Sequence, residues 1–311
     1  MTNRIIITGA NGFLGKALSK SLCKENRIIA ISQKISSCAE KTINTDEFLN
    51  NFTVTEIIKF KPNVIIHTAA SAHKSYWLNF LNSSKYNAFN EEITKKLILI
   101  ANSLNIEKFI YISSIGVYGN QTLENYKIKE STRINPTNKY SRSKVRCEEY
   151  IQNLLKESIT LTIIRPSLIY GPNAPGNIKL LIKIINSRIP LPFKGIKNKR
   201  SLLYIGNLIS AIESILVQDK KARNVFVLSD QEIISTEKLF LKISKIRRRK
   251  VLLFKIPTII FKLLENIPLL GYKIKQLTAN MVIDSSLIRE QLHWVQPYSQ
   301  NEGMKKSFLD Y

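Results

Sequence analysis

The chain reads as an α/β protein built on a doubly wound parallel sheet, with a smaller mixed α/β region toward its C-terminus. Three observations predict this. The apolar run Ile5-Ile6-Ile7 leads into glycines at 9, 12 and 15 and then into an apolar-periodic segment from Phe13 to Leu22. That is strand, tight turn and helix in order. Strand and helix signals then alternate as far as Pro166, and strands separated by helices imply right-handed crossovers in a parallel sheet. Beyond Pro166 the alternation fades, and Pro and Gly cluster over 172–176 and 190–195, which predicts a change of architecture.

Each element follows from a local signal. Ile28 to Ser32 is a short apolar run and reads as the second strand. Val64 to His67 reads as another, set off by the Lys61-Pro62 break. Asn90 to Leu104 repeats its apolar residues at helical spacing, and Phe109 to Ser113 is again a buried strand. Tyr140 to Leu155 reads as a helix, and Leu161 to Arg165 as a strand stopped by Pro166. The division this implies is a nucleotide-binding domain over 1–170 and a mainly substrate-binding region over 171–311. Ser201 to Leu216 is expected to return to the first domain as one more strand and helix.

Composition narrows the function classes. The 311 residues are 44% hydrophobic, enough for a sizeable core and too apolar for disorder. Cys23, Cys38 and Cys147 are scattered, odd in number and lack metal-ligand spacing, so neither zinc nor a disulfide framework is indicated. With only Met1 to Arg4 before the first strand, a cytoplasmic setting is the expectation. The net charge of +24 is spread along the chain without a nucleic-acid motif, so it reads as a generally solvated basic surface. The stretch Val251 to Ile274 is apolar, but Lys255, Pro257, Lys262, Glu265 and Pro268 interrupt it, and no spanning helix fits. Packing against a neighbouring domain or a second copy is expected there, with peripheral membrane contact the lesser alternative.

Two constellations carry chemistry. In the glycine turn, Gly9 permits the bend, Gly12 lets backbone approach a phosphate, and Gly15 lets the helix lie close on the strand. A helix N-terminus placed there suits a dinucleotide pyrophosphate. Further on, Tyr140 and Lys144 stand four apart at the start of a helix and share one face. A phenol acting as base near neutral pH needs its pKa lowered by about three units, or roughly 4 kcal/mol. An ammonium about 4 Å away, at an effective dielectric of about 20, supplies that much. Ser114, at the end of the strand before this helix, can hold a substrate oxygen beside Tyr140.

These residues resemble the extended short-chain dehydrogenase/reductase family, within it the nucleotide-sugar epimerases and reductases on a Rossmann-type sheet. The likeness covers nearly the whole chain. Gly9, Gly12 and Gly15 match the glycine pattern; Ser113-Ser114-Ile-Gly-Val-Tyr118-Gly119 resembles its Ser-Ser-x-x-Val-Tyr-Gly strand end; Tyr140 and Lys144 match its Tyr-x-x-x-Lys pair. Asn90-x-x-x-Thr94, His67-Thr68-Ala69-Ala70-Ser71, Arg165-Pro166-Ser-Leu-Ile-Tyr170-Gly171-Pro172 and Arg200-Ser-Leu-Leu-Tyr-Ile-Gly-Asn207 are further likenesses. The segment Asp284 to Trp294 resembles the family's terminal signature, with Leu287 and His293 departing from it.

The resemblance implies a catalytic set of Ser114, Tyr140 and Lys144. It implies a cofactor site from Gly9, Asn11, Gly12, Phe13, Leu14 and Gly15 at the turn and Ser32 and Lys34 after the second strand. Thr68, Ala69, Ala70, Asn90, Tyr140, Lys144 and Pro166 complete that site, while His67 is read as structural. Besides Ser114 and Tyr140, the substrate residues it implies are Asn177, Leu191, Phe193 and Arg200, the arginine on the diphosphate. A homodimer is the common assembly of such relatives.

Departures narrow the reaction. Sugar-nucleotide 4,6-dehydratases carry an Asp-Glu pair where this chain has Ile115 and Gly116, so dehydration is not expected. No Cys/His pair of the kind used in 3,5-epimerisation is present either, since Cys147 lies inside the catalytic helix. What remains is redox at C4 of a UDP-linked hexose or N-acetylhexosamine. The second strand ends in Ser32, Gln33 and Lys34 without a carboxylate, which favours NADP(H) over NAD(H). That leans toward a 4-reductase acting on a UDP-4-keto-6-deoxy-N-acetylhexosamine for surface polysaccharide, over a UDP-glucose or UDP-N-acetylglucosamine 4-epimerase. A catalytically silent dinucleotide sensor is disfavoured, because Tyr140 and Lys144 are both kept.

Overall fold

The protein is described by a computed structural model covering residues 2–50, 54–69, 76–218, 221–267 and 270–309. Its first half runs β1 (Arg4–Thr8), α1 (Phe13–Leu22), β2 (Arg27–Ile31), β3 (Lys41–Ile43), α2 (Thr45–Asn50), α3 (Val54–Phe60) and β4 (Val64–His67). The long helix α4 (Tyr76–Ser103) and β5 (Lys108–Ile112) follow, then a 3₁₀ turn over Ile115–Tyr118, α5 (Lys139–Leu154) and β6 (Thr160–Pro166). The second half contains β7 (Leu168–Tyr170), α6 (Asn177–Ser187), β8 (Arg200–Tyr204), α7 (Ile205–Leu216), β9 (Arg223–Leu228) and β10 (Ile233–Ile234). It closes with α8 (Thr236–Ile246), α9 (Thr258–Leu264), α10 (Leu270–Thr278), α11 (Ser286–Leu292) and α12 (Gln300–Phe308).

Seven parallel strands form one sheet in the order β3-β2-β1-β4-β5-β6-β9, and β10-β8-β7 form a small mixed sheet. Alternation along each central strand splits its side chains between two cores. Ile5 and Ile7 of β1 pack toward α1 and α7, while Ile6 packs toward α4 and α5. Ile110 and Phe109 of β5 divide in the same way. A strand buried on both faces has no polar side to show, which is why these runs read as unbroken aliphatics. Each such isoleucine contributes roughly 1.5–3 kcal/mol by leaving water. A third core lies under the second half, around Tyr170, Phe193 and Phe240.

Two features differ from the expectation. The helix over Ile205–Leu216 does lie against the large sheet, packing on α1, but its strand β8 pairs with β7 and β10 in the small sheet. The seventh strand is instead β9, paired with β6 from Leu161↔Arg223 to Pro166↔Leu228. No helix among the described residues is long and apolar enough to cross a membrane.

Candidate active site

The glycine turn takes the form its sequence demands. Gly9 has φ +68°, a conformation that side chains rarely adopt, and a Cβ there would come within 2.9 Å of Ala69 Cα. A Cβ on Gly15 would sit 2.1 Å from the Gly9 carbonyl oxygen, so α1 rests directly on the turn. Gly12 caps α1 with no side-chain hydrogen bond, leaving the first-turn amides of Phe13, Leu14 and Gly15 to a ligand. The side chains of Phe13 and Leu14 pack inward against the third core, so their backbone faces the turn. An uncapped helix start over a cradle that a single Cβ would fill fits a dinucleotide pyrophosphate.

At the end of β2, Ser32 is buried and its hydroxyl donates to the Lys34 carbonyl at 2.7 Å. Asn11 Nδ2 donates to Ser32 Oγ at 2.9 Å and also reaches the Lys34 carbonyl. These groups bind one another and bring no carboxylate to the ribose. Thr68 donates to the Thr8 carbonyl at 2.6 Å and the Ala69 amide to Thr8 Oγ1 at 3.1 Å, which holds the loop after β4 under the turn. Ala70 lies outside the described residues.

A buried relay joins this turn to α5. Thr94 Oγ1 donates to the Asn90 carbonyl at 2.7 Å, so it must accept from His67 Nε2 at 2.9 Å. A neutral His67 then accepts at Nδ1 from Thr8 Oγ1, 2.7 Å away. Burial, reinforced by the Lys144 charge, pushes the His67 pKa well below its ordinary value, which agrees with a neutral ring. Asn90 Nδ2 continues the relay to Ser143 Oγ at 3.3 Å, and Ser143 donates to the Tyr140 carbonyl at 3.0 Å. Asn90 thus bonds α4 to α5 through Ser143, and His67 ties the end of β1 to α4.

Ser114 caps the 3₁₀ turn, its Oγ accepting from the Gly116 amide at 3.1 Å. A Cβ on Gly116 would lie 2.6 Å from Ser141 Oγ and 3.3 Å from Ser114 Oγ, so the first turn of α5 stands against the Ser114 loop. Asn138 caps α5, accepting from the Ser141 amide at 2.8 Å. Lys144 is buried and donates from Nζ to the Ile112 carbonyl at 2.8 Å. Its Nζ lies 4.7 Å from the Tyr111 ring centre and 5.9 Å from that of Tyr140. The first turn of α5, which carries Tyr140, thus stands beside the Ser114 loop, with the Lys144 ammonium near the Tyr140 ring.

Their electrostatics depart from the expectation. Burial pushes Tyr140 up to about 12 and pulls Lys144 down to about 8. Desolvation disfavours both charged forms; Cys147 adds to the rise of Tyr140, and Cys147 and Glu148 only partly offset the fall of Lys144.

Glu148, one turn beyond Lys144, was not singled out by sequence reasoning. It pairs with buried Arg165 at 2.5 Å and accepts from Ser113, while Arg165 Nη1 donates to Tyr118 at 2.5 Å. Burial opposes the Arg165 charge, yet Glu148 and Tyr118 hold its pKa above the ordinary value. This cluster ties β5, the 3₁₀ turn, α5 and β6 at one point. Pro166 ends β6, buried beside Leu228 of β9.

The remaining candidates separate. Asn177 opens α6 and donates to Gln276 Oε1 at 3.3 Å; Arg200 Nη1 donates to the Gln276 carbonyl and, at 3.2 Å, to that of Ala279. Both converge on the end of α10. Burial lowers the Arg200 pKa to about 10. Leu191 and Phe193 face the third core instead, Phe193 stacking 5.5 Å from Phe240 and 5.9 Å from Phe261.

Residues 5–228 match the NAD-dependent epimerase/dehydratase family. The chain belongs to that family. A UDP-glucose 4-epimerase of Vibrio cholerae is 30% identical, over 99% of this chain and 95% of that protein. A dTDP-D-glucose 4,6-dehydratase of Dictyostelium discoideum is 31% identical over 68% of this chain and 55% of its own length. A UDP-glucuronic acid 4-epimerase of Bacillus cereus, solved with UDP-glucuronic acid and NAD, has the same fold (TM-score 0.76). It is 19% identical, with 99% of this chain and 98% of that one covered. The family's dinucleotide is NAD, and the lean to NADP(H) drawn from Ser32 and Lys34 finds no support there. The lean to a 4-keto reductase is likewise unsupported: these relatives are named as 4-epimerases and a 4,6-dehydratase.

Proposed function

We propose that this protein is a UDP-sugar 4-epimerase. The reading is carried by one observation: the loop after Ser114 is closed by Ile115 and Gly116, so Tyr140 stands there without the acid pair that dehydration needs. The relation to the Vibrio epimerase along the full chain supports the same choice.

The first turn of α1, the Asn11–Ser32 pair and the Thr68–Ala69 loop would hold NAD, which when bound would accept a hydride from C4 and return it. The chain's own residues handle the proton. Ser114 holds the C4 oxygen; Tyr140 takes its proton as the carbonyl forms and returns it when the alcohol is restored. Lys144, anchored on Ile112, keeps a positive charge next to the phenol when protonated. Arg200 and Asn177 would grip the diphosphate, leaving the hexose free to turn and present its other face.

The test offers purified protein UDP-galactose without added cofactor, and separately a UDP-4-keto-6-deoxy-N-acetylhexosamine with NADPH. Interconversion of UDP-galactose and UDP-glucose with no net oxidation is expected, falling by about 10²–10⁴ in Tyr140→Phe. Stoichiometric loss of NADPH on the keto sugar alone would make the protein a reductase.

A further inference from the structure

The second half of the chain carries a surface where exposed cations stand beside exposed apolar side chains. No Asp or Glu occurs between Glu157 and Glu213, nor between Glu237 and Glu265. In the second interval Arg248, Arg249, Lys250 and Lys255 are exposed, and Lys194 of the first is exposed beside them. The residues after α8 run alongside 191–194: the Leu191 amide donates to the Leu252 carbonyl at 2.8 Å, Phe254 returns the bond at 3.0 Å, and Lys194 donates to Phe254 at 3.1 Å. Period-two alternation turns Leu253 into the third core and leaves Leu252 and Phe254 outside, 57% and 44% exposed.

Helix α9 extends this apolar surface. Phe261 points in against Phe193, whereas Ile259 and Leu263, four apart on the opposite side, are 58% and 63% exposed. Ile260 and Ile267 add to the same edge. Aliphatic and aromatic side chains in water beside a row of cations, with Glu265 the one acid over residues 238–267, cost solvation in a solitary chain.

We infer that this face docks on an anionic lipid surface, with α9 and the 252–254 strip in the interface and Arg248 to Lys250 among the headgroups. Charge decides between the possible occupants. A second copy would bring the same uncompensated cations to a two-fold contact, where they repel. Nucleic acid would answer the charge and leave the aliphatic side chains unused. An acidic bilayer surface answers both. Helix α9 packs on α10, whose end receives Asn177 and Arg200, so docking sets the sugar-nucleotide end of the cleft one helix from the lipid.

Co-sedimentation of the full-length protein with vesicles of phosphatidylcholine, with and without phosphatidylglycerol, tests this. Binding to the phosphatidylglycerol vesicles alone is expected, weakening as salt is raised. Ile260→Glu with Leu263→Glu should lower the partition constant more than tenfold. Arg248→Gln with Arg249→Gln should lower it about fivefold per charge removed. Thermal melting serves as the fold control, and Leu252→Glu supplies an independent apolar variant should the helix changes shift it. Absence of binding to phosphatidylglycerol vesicles would overturn the inference. So would binding that all the apolar variants retain, or a dimer of the unaltered protein that those variants dissociate.

Discussion

Lys144 shows how one residue's setting governs its chemistry. Burial lowers its pKa from 10.5 to about 8, so the folded chain releases this proton before the unfolded chain does. Between those values the unfolded state binds more protons, and stability rises with pH across the window, by roughly 3 kcal/mol for the whole shift. Chemical denaturation of the cofactor-free protein should therefore show a midpoint that climbs from about pH 7.5 to about pH 10. In Lys144→Met that climb should be reduced; an identical slope in both proteins would mean that the ammonium is not desolvated. The same burial explains why Tyr140 stands at about 12 in place of the lowered value its spacing to Lys144 suggests. Activation of the phenol must come from charge added when ligands bind.

At the scale of elements, the first turn and helix are bound together by the lack of two side chains. Gly15 lies so near the Gly9 carbonyl that an added methyl must displace α1, since both contacting groups are backbone. Gly15→Ala is expected to cost about 1–3 kcal/mol and to weaken NAD binding more than tenfold by calorimetry. Lys16→Ala, on the exposed side of the same helix, should change neither. Equal NAD affinity in the two variants would show that the α1 amides are not the phosphate site. Helix α5 depends on longer reach. Its position comes from Ser143 on the Asn90 relay and Glu148 on Arg165, two contacts to separate parts of the chain, while Asn138 caps its own first turn.

Across the whole molecule, Asp230 joins the two sheets. It follows β9 of the large sheet and accepts from the Tyr204 amide at 3.0 Å, Asn207 Nδ2 at 2.7 Å and the Tyr170 hydroxyl at 3.0 Å. Those donors lie on α7 and on the ends of β7 and β8. Burial raises the Asp230 pKa to about 6 despite these bonds. Asp230→Ala takes this acceptor from the Tyr204 amide and from one Asn207 N–H and leaves the Tyr170 hydroxyl only the Gln300 carbonyl at 3.5 Å; at about 1–3 kcal/mol for a buried donor left unpaired, it should lower the melting temperature by several degrees. Asp230→Asn, which keeps one acceptor, should fall between. A melting temperature unchanged by Asp230→Ala would mean that the Asp230 carboxylate does not hold the sheets together.

Most of the large sheet was legible in order along the chain. Strands such as Ile5–Ile7 and Val64–His67 are buried on both faces and announce themselves as unbroken aliphatic runs, and the glycine spacing admits few backbone paths. The Tyr140–Lys144 pair was legible too, because a helix fixes what lies four residues apart. Strand β9 escaped notice although Val225 to Leu228 is apolar, since it follows a helix of the second half and pairs with β6 from far away in sequence. The same holds for Glu148 with Arg165, for the His67 relay and for Gln276 beneath Arg200 and Asn177. The sequence by itself determined local conformation, the parallel α/β plan and the residue types at the site, because periodicity and glycine placement act over a few bonds. Only the tertiary structure decided which strand closes each sheet, what each polar group bonds to and how far burial moves a pKa. Those depend on groups that approach one another only once the chain has folded.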